Sequence, residues 1–422
     1  MTDDLETQLR QALHDRADAV RTEHLTRTLN LSADEREPGQ VAYRSRRGPS
    51  WLLAAAAAVV VAAGATGIVV ATRPGPATPE PSTTVTVTAT PTTGAPQQRN
   101  GIPWAEVGPG WSAAAWAASR DATTATLYLL SPSGARYPVG TMPRTAVYDI
   151  TRDGRRILTG STDPDAVLEW DVATGTSRSI PLGEPGGATY TKPDGQALLT
   201  VDDAGPTPRL QRRTLAGAVT LTYPDGTGLA QQTPDGHLVV GGSATGLAVY
   251  GNATGTLVRT LAPPPGYGDC AVVSWWPDGR AVTRCVQAGS GPSNLWLYPL
   301  DGGPPTALTS ATSGSATPFG YQAAWPVRNG TLVQEAVGCG VGPLARLTSA
   351  STSTRLPLSS PADPVAVVGD VVYLDVAATE CGGNADHSFV AYDAVTGRST
   401  TLLGGSVDGG TAGPMAVIDP NR

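Results

Sequence analysis

Short β-prone runs alternate with turn signals along most of the chain after residue 100. Pro-Asp-Gly ends three such runs, and the looser copies Arg-Asp-Gly and Arg-Asn-Gly lie before and after them. The five turn glycines are separated by 41, 41, 43 and 51 residues and are Gly154, Gly195, Gly236, Gly279 and Gly330. A period near 40 built from short strands is typical of propeller blades. The pattern predicts an all-β fold, a β-propeller over residues 101–422.

A second turn type precedes the last strand of several repeats. Asp or Asn opens this turn and Gly closes it at 171–175, 252–255 and 393–397. The opening side chain can hydrogen-bond its own backbone, and Gly accepts a positive φ. The two turn types together resemble WD-repeat and Tol-type periplasmic propellers, over roughly three quarters of the chain. No repeat carries the full Gly-His and Trp-Asp pair of strict WD repeats, so the resemblance implies a fold and not a function.

The repeats add up to seven blades, with turns after the innermost strands expected near residues 121, 153, 194, 235, 278, 329 and 369. The first interval is short, so blade 1 lacks a strand. The β-prone tail at 411–418 is left over after blade 7. We expect residues 415–418 to pair into blade 1 and close the ring, since an open ring would leave an exposed edge. A six-bladed ring is the alternative if the first repeat is not a true one.

Residues 51–71 form a 21-residue stretch without a charged side chain. As a helix it would be about 31 Å long, which matches a hydrocarbon core of about 30 Å. Arg44, Arg46 and Arg47 precede it, and Arg73 follows it. The positive-inside rule therefore predicts a single-pass anchor in the cell membrane with a cytoplasmic N-terminus and an extracytoplasmic propeller. A cleaved signal peptide is disfavoured because 50 residues of mixed charge come first.

Two further segments flank this predicted span. Residues 1–50 are expected to be cytoplasmic and to contain an amphipathic helix at 3–29, with Asp3 as its cap and leucines at helical spacing. The helix is either a solvated, marginal one or a docking helix for a cytoplasmic regulatory protein. Residues 72–100 are rich in Pro and Thr, and this composition predicts a disordered, extended stalk.

Charge and cysteine usage agree with an exported domain. From residue 101 onward the chain has 19 basic and 26 acidic residues, which argues against binding to nucleic acid through a basic patch. All four cysteines follow the predicted span, where disulfides persist. Cys270 and Cys285 flank the Pro277-Asp278 turn symmetrically, which predicts a cross-strand disulfide. Cys339 and Cys381 are expected to join blades 6 and 7.

Motifs for catalysis and for cofactors were not found in the sequence. It contains no G-x-S-x-G elbow, H-E-x-x-H helix, P-loop, calcium loop or close Cys/His pairs. We therefore expect no metal, no cofactor and no catalytic residue. The repeated turn aspartates are interpreted as turn formers, the exported histidines as surface loop residues, and the tryptophans as blade-packing residues.

The loops between second and third strands carry most of the remaining acidic residues. Propellers commonly bind partners at one rim, and loops on a rigid scaffold often carry function. The candidate binding rim consists of Asp163, Asp165, Asp202, Asp203, Glu380, Asp386 and His387. A merely solvated acidic face is the alternative.

The predicted function is non-enzymatic binding, as a membrane-anchored sensor or scaffold with an unknown extracytoplasmic ligand. The layout is similar to bacterial propeller receptors with a cytoplasmic kinase, although no kinase motif is present. It also resembles membrane regulators that hold a transcription factor at the bilayer, although residues 1–50 lack their zinc-binding cysteines. The alternative is an exported propeller enzyme acting on carbohydrate or another envelope substrate, which would need two carboxylates about 5–10 Å apart.

Overall fold

The computed structural model describes residues 101–421, apart from 120, 203–206, 225, 244, 289–290, 338–340, 359–361, 378–386 and 405–410. The described part contains 28 β-strands and no α-helix. Within it, no helix is long and apolar enough to cross a membrane. The predicted cytoplasmic helix at 3–29, the span at 51–71 and the stalk at 72–100 lie outside the described residues.

The strands form seven four-stranded antiparallel sheets, the blades of a propeller. Blades 1 to 3 contain β1 (Ser112–Ala117), β2 (Thr124–Leu130), β3 (Arg136–Pro143), β4 (Val147–Ile150), β5 (Arg156–Gly160), β6 (Ala166–Asp171), β7 (Thr176–Pro181), β8 (Ala188–Tyr190), β9 (Ala197–Asp202), β10 (Arg209–Thr214) and β11 (Val219–Thr222). Blades 4 and 5 contain β12 (Gln231–Gln232), β13 (Leu238–Ser243), β14 (Gly246–Gly251), β15 (Leu257–Leu261), β16 (Tyr267–Trp275), β17 (Ala281–Gln287), β18 (Ser293–Tyr298) and β19 (Thr306–Ala307). Blades 6 and 7 contain β20 (Tyr321–Val327), β21 (Gly330–Glu335), β22 (Leu344–Ser349), β23 (Thr352–Arg355), β24 (Ala362–Val368), β25 (Val371–Ala377), β26 (His387–Asp393) and β27 (Ser399–Gly404).

The last strand, β28 (Thr411–Val417), belongs to blade 1 and pairs antiparallel with β1. Met415 lies opposite Ala114, and Val417 lies opposite Ser112. The ring is thus closed by the C-terminal strand, and the predictions of seven blades and of this closure are confirmed.

One detail of the predicted blade count is wrong. The connection near residue 121 joins β1 to β2, which are the second and third strands of blade 1, and does not follow an innermost strand. The innermost strand of blade 1 is β28, which comes from the C-terminal end of the domain, whereas its neighbour β1 comes from the N-terminal end. Blade 1 therefore has no turn between its first and second strands. This arrangement explains why the first interval in the sequence was short.

The core consists of seven hydrophobic clusters, each lying between two neighbouring blades of the described chain. Strand residues alternate between the two faces of a blade. Thus Ile157 packs toward blade 1, whereas the next residue, Leu158, packs toward blade 3. The cluster around Tyr373 and Phe389 of blade 7 includes Met415 and Val417, and it seals the junction with blade 1.

Side chains also connect the innermost part of one blade to the backbone of the next. Gln232 of blade 4 accepts the Lys192 N–H (2.8 Å) and donates to the Tyr190 carbonyl (2.6 Å) of blade 3. These contacts satisfy backbone groups that an innermost strand, having no inner neighbour, would leave to water. In the same way, the Asp149 carboxylate accepts the Tyr190 N–H, Gln231 donates to the Val272 carbonyl, and Ser274 donates to the Ala324 carbonyl.

The tryptophans of the described chain pack within and between blades, as predicted. Trp111 and Trp275 are buried, and Trp111 stacks on Tyr137 with ring centroids 5.8 Å apart. Trp104 lies under the Arg155 guanidinium, 4.5 Å from the ring centroid. Trp116, Trp276 and Trp325 are partly buried against three different blade clusters.

Candidate functional site

The propeller has two chemically different faces. Turns that follow the first and third strands of each blade lie on one face, which we call the turn face. Loops between second and third strands, and crossovers from one blade to the next, lie on the other, which we call the loop face. Of the predicted binding rim, Asp163, Asp165, Asp202 and His387 belong to the loop face by this topology.

The aspartates of the turn face form turns, as predicted. In four blades the Asp carboxylate accepts the N–H of the residue two positions later, at 3.0–3.1 Å; these are Asp153, Asp194, Asp235 and Asp278. Thr151 and Thr233 add hydroxyl bonds to Asp153 and Asp235. The glycine that follows must adopt a positive φ: Gly236 has φ 73°, and a Cβ there would lie 1.7 Å from the Lys192 carbonyl oxygen.

These bonds change the acidity of the turn carboxyls. The Arg280 side chain bonds Asp278 and lowers the pKa of its carboxyl. Burial acts to raise the pKa of Asp235, but the bonds from the Thr233 hydroxyl and the His237 N–H outweigh it and lower that pKa. The pKa of Asp153 is lowered in the same way, against burial, by Thr151 and the Arg155 N–H. The turns therefore hold these carboxylates ionised, in a structural role.

The second turn type also folds as predicted. Asp171 accepts the N–H of Thr174 at 2.8 Å, and Asp393 accepts the N–H groups of Val395 and Thr396 at 2.8 and 2.9 Å. Asn252 does more than open a turn. Its amide donates to the Gly236 carbonyl (2.7 Å), and its oxygen accepts the Tyr223 hydroxyl from blade 3 (2.9 Å).

On the loop face, Asp163 and Asp165 are exposed in the loop between β5 and β6. The Asp163 carboxylate accepts the Asp165 N–H at 3.0 Å. The Asp165 carbonyl accepts the N–H groups of Leu182 and Gly183 from the crossover to blade 3, at 2.6 and 3.2 Å. Among the described residues, neither carboxylate takes part in a salt bridge.

Asp202 lies at the same face but is buried, with 4% of its surface exposed. Its Oδ2 accepts bonds from Arg209 Nε (2.8 Å) and Gln211 Nε2 (3.1 Å). Glu184 comes from the crossover between β7 and β8, and burial, followed by the neighbouring Asp202 carboxyl, raises the pKa of the Glu184 carboxyl. Glu184 in turn accepts from the buried Arg213 at 2.7 Å. Asp202 therefore belongs to a cluster of paired charges between blades 2 and 3.

At blade 7 the structure combines a predicted rim residue with carboxylates that sequence reasoning missed. His387 Nδ1 lies 2.8 Å from Asp375 Oδ1. Asp375 stands directly opposite Asp363 in the pairing of β24 with β25. Asp363 accepts a bond from Gln334 Nε2 of blade 6 at 3.1 Å. Asp203, Glu380 and Asp386 of the predicted rim lie outside the described residues.

The residues that sequence reasoning missed share one property. Glu184, Asp363 and Asp375 lie outside the loops between second and third strands, in a crossover or within strands. No motif marks Glu184, which lies in a Gly-Glu-Pro-Gly-Gly crossover. The opposed pair Asp363 and Asp375 becomes visible only once the strand register is known.

The Cys270–Cys285 disulfide is present, with a Cα–Cα separation of 4.1 Å, and both cysteines are buried. The two stand opposite each other because Ala271 pairs with Arg284. Asp269, with φ 44°, and Val273 fall at the two irregularities that shift the register on either side. Cys339 and Cys381 lie outside the described residues, so their pairing stays a prediction. Within the described chain, no group of three His, Cys, Asp or Glu side chains could hold a metal ion.

No protein-family model matches the chain, and no curated protein matches it. Among solved structures, it is similar to the dihydro-heme d1 dehydrogenase NirN (13% identity, 73% of this chain and 75% of that one, TM-score 0.46). It is also similar to the β-propeller domain of the trilobed protease from Pyrococcus furiosus (12%, 69% and 93%, 0.46). A third similar structure is TolB from Acinetobacter baumannii (15%, 74% and 67%, 0.42). At such identities and TM-scores the functions of these proteins do not transfer to this chain.

Proposed function

We propose that the protein is a single-pass membrane protein whose extracytoplasmic propeller binds a positively charged partner through its loop face, as a sensor or scaffold. The observation that supports this proposal is the difference between the two faces. Three turn-face aspartates take a further side-chain bond, Asp153 from Thr151, Asp235 from Thr233 and Asp278 from Arg280. The loop face presents the exposed Asp121, Asp163, Asp165 and Asp269, of which Asp163 accepts the Asp165 N–H. Among the described residues, no salt bridge involves any of these four. Exposed carboxylates of one sign on a rigid scaffold attract cationic partners.

The proposal includes the N-terminal segments. The charge asymmetry around residues 51–71 supports a membrane anchor with the N-terminus inside the cell. The amphipathic pattern at 3–29 supports contact with a cytoplasmic regulatory protein. Partner binding at the propeller would then act on this contact inside the cell.

Photocrosslinking in intact cells tests the binding face. A photoreactive residue at position 163 or 165 should give partner adducts, whereas the same residue at positions 194 and 278 of the turn face should give few. Replacing Asp121, Asp163 and Asp165 together by Asn should reduce adducts from a probe placed at the exposed Thr162. Equal adduct yields from the two faces, or yields unaffected by the Asn replacements, would contradict the proposal.

One observation favours a second candidate, an exported enzyme acting on carbohydrate. Directly opposed strand residues have Cβ atoms about 4.5–5.5 Å apart, so Asp363 and Asp375 are close enough for carboxylate chemistry. His387 is held against Asp375 at this site. Isolated envelope polysaccharide incubated with the protein would then gain new reducing ends, and Asp363→Asn or Asp375→Asn would abolish the gain. No new reducing ends with the unaltered protein would rule out glycosidic cleavage of that substrate.

A further inference from the structure

Three large hydrophobic side chains are exposed together on the outer strands of blades 3 and 4. Val219 begins β11, and Leu257 and Val258 begin β15. Their exposed fractions are 46%, 57% and 48%. The other exposed large hydrophobic side chains of the described chain, Leu229 and Phe319, lie singly in crossovers. Grouped apolar exposure, unlike scattered apolar residues, indicates a contact surface.

The two outer strands meet beside these side chains. A Cβ added to Gly255, just before β15, would lie 2.8 Å from Leu221 Cδ1. Leu221 follows Val219 in β11 and packs in the cluster between blades 3 and 4. The apolar surface is therefore continuous from one blade to the next. We call Val219, Leu221, Leu257 and Val258 the rim patch.

The outer strands of blades 2 and 6 are polar where the rim patch is apolar. In β7 of blade 2, the exposed run at 176–179 contains Thr, Ser and Arg. In β23 of blade 6, the exposed residues at 352, 354 and 355 are Thr and Arg. Natural edge strands usually carry polar or charged residues that discourage contact. The rim patch departs from this pattern in two neighbouring blades, so we expect another surface to cover it.

The rim patch lies at the turn-face end of its strands. β11 follows the turn at 215–218, and β15 follows the turn at 252–256; turns of this kind lie on the turn face. The described chain also begins on this face, since Trp104 lies under Arg155 of the turn between β4 and β5. The chain that leads to the predicted anchor therefore leaves the propeller on the side that carries the rim patch.

The charges of the two faces differ in how far they are balanced. On the turn face, Asp278 pairs with Arg280 at 2.7 Å. Asp370 pairs with Arg328 at 3.1 Å. The exposed loop-face aspartates named above take part in no salt bridge within the described chain. A membrane with anionic lipids therefore repels the loop face more than the turn face.

We propose that the rim patch is a lipid-contact surface, through which the turn face rests on the membrane that carries the anchor. Its side chains enter the boundary between headgroups and acyl chains. A patch this small binds lipid weakly by itself, but the tether at 72–100 keeps the domain near the bilayer and raises its effective concentration there. The acidic loop face then points away from the membrane. This contact rests on the membrane anchor of the proposed function and not on binding at the loop face.

Fluorescence quenching tests the contact with the full chain in vesicles of phosphatidylcholine and phosphatidylglycerol that contain lipids with a quencher on the acyl chain. A fluorophore is attached at Ala253→Cys, in the exposed turn next to the rim patch. The same fluorophore at Ser351→Cys marks the equivalent turn of blade 6, and at Thr162→Cys it marks the loop face. Quenching at position 253 should exceed quenching at positions 351 and 162 severalfold.

Substitutions in the rim patch test its part in this quenching. Replacing Val219, Leu257 and Val258 together by Ser should reduce the quenching at position 253 to the level at 351. These side chains are about half exposed, so the melting temperature should stay that of the wild type. Leu257→Ser alone should reduce the quenching in the same direction. Leu229→Ser removes another exposed leucine, outside the rim patch, and should leave it unchanged.

The anchor is measured separately in the same vesicles. Alkaline extraction releases chains that lie on a bilayer and leaves chains that span it. Release of the full chain would contradict the membrane anchor, whereas quenching at position 253 reports the lipid contact in either case. Equal quenching at positions 253 and 162, or quenching at 253 that survives the triple replacement, would overturn the rim patch as a lipid-contact surface.

Discussion

At the scale of single residues, local contacts were predictable and contacts between blades were not. The role of Asp278 follows from its own turn, because its partner is the N–H two residues later. The roles of Gln232 and Glu184 depend on partners in a neighbouring blade or crossover, and no local pattern marks them. Sequence therefore predicted turn formers well, but it could not show that Asp202 is buried among arginines.

Gln232 is the clearest test of these contacts between blades. Gln232→Leu would leave the Lys192 N–H and the Tyr190 carbonyl without their partner, and an unsatisfied buried polar group costs about 1–3 kcal/mol. The free energy of unfolding, measured by urea denaturation with tryptophan fluorescence, should fall by about that amount. Gln196→Leu changes the same residue type at an exposed position and should have little effect. Equal effects of the two variants would show that the bonds between blades add no stability.

The turn aspartates predict a loss of stability in acid. The pKa of Asp235 is lowered by folding, against burial, by Thr233 and the His237 N–H. Its contribution is therefore present above the unfolded pKa, about 3.9, and is lost as the pH falls through the folded pKa. Asp235→Asn keeps the acceptor oxygen and removes the titration, so the thermal midpoint should depend less steeply on pH below about 4. If the thermal midpoint of Asp235→Asn fell as steeply as that of the wild type below this pH, the result would contradict this role.

At the scale of strands, turn symmetry predicted the Cys270–Cys285 pair but not the irregularities around it. The turn spans 276–280, so the register beside it differs by one residue from the register at the cysteines. Val273 absorbs this difference, and Asp269 lies at a second one-residue shift on the other side of the cysteines. The two irregularities are visible only in the strand register, and no local pattern in β16 marks them.

Disulfide mapping tests whether Cys270 and Cys285 are bonded to each other. Peptide mapping without reducing agent should recover the 270–285 pair, and it should also recover 339–381 if the second prediction is right. Replacing Cys270 and Cys285 together by Ala should cost on the order of 2–4 kcal/mol of unfolding free energy, toward the lower end because the loop is short. Free thiols at 270 and 285 in protein exported by its native cell would contradict the pairing.

At the scale of the whole molecule, ring closure depends on one strand. The short first repeat and the unused tail were enough to predict it, because a propeller without closure exposes a strand edge. In the structure, β28 pairs with β1 and its Met415 and Val417 complete the cluster between blades 7 and 1.

Deleting residues 410–422 should therefore lower the unfolding temperature and promote aggregation, because β1 would become an exposed edge. Light scattering and differential scanning fluorimetry would measure both effects. Deletion of 421–422 leaves β28 intact and serves as the control. A truncated protein that melts at the wild-type temperature and stays monomeric would show that closure by β28 does not stabilise the ring.

The proposed function depends most directly on which side of the membrane holds the propeller. Protease added to intact, wall-stripped cells should cut in the Pro/Thr-rich segment at 72–100 and release the propeller. A tag at the N-terminus should stay protected until the membrane is permeabilised. A propeller that resists release in intact cells but is released after permeabilisation, or a mature form that begins near residue 72, would contradict an extracytoplasmic binding module on a cytoplasm-facing anchor.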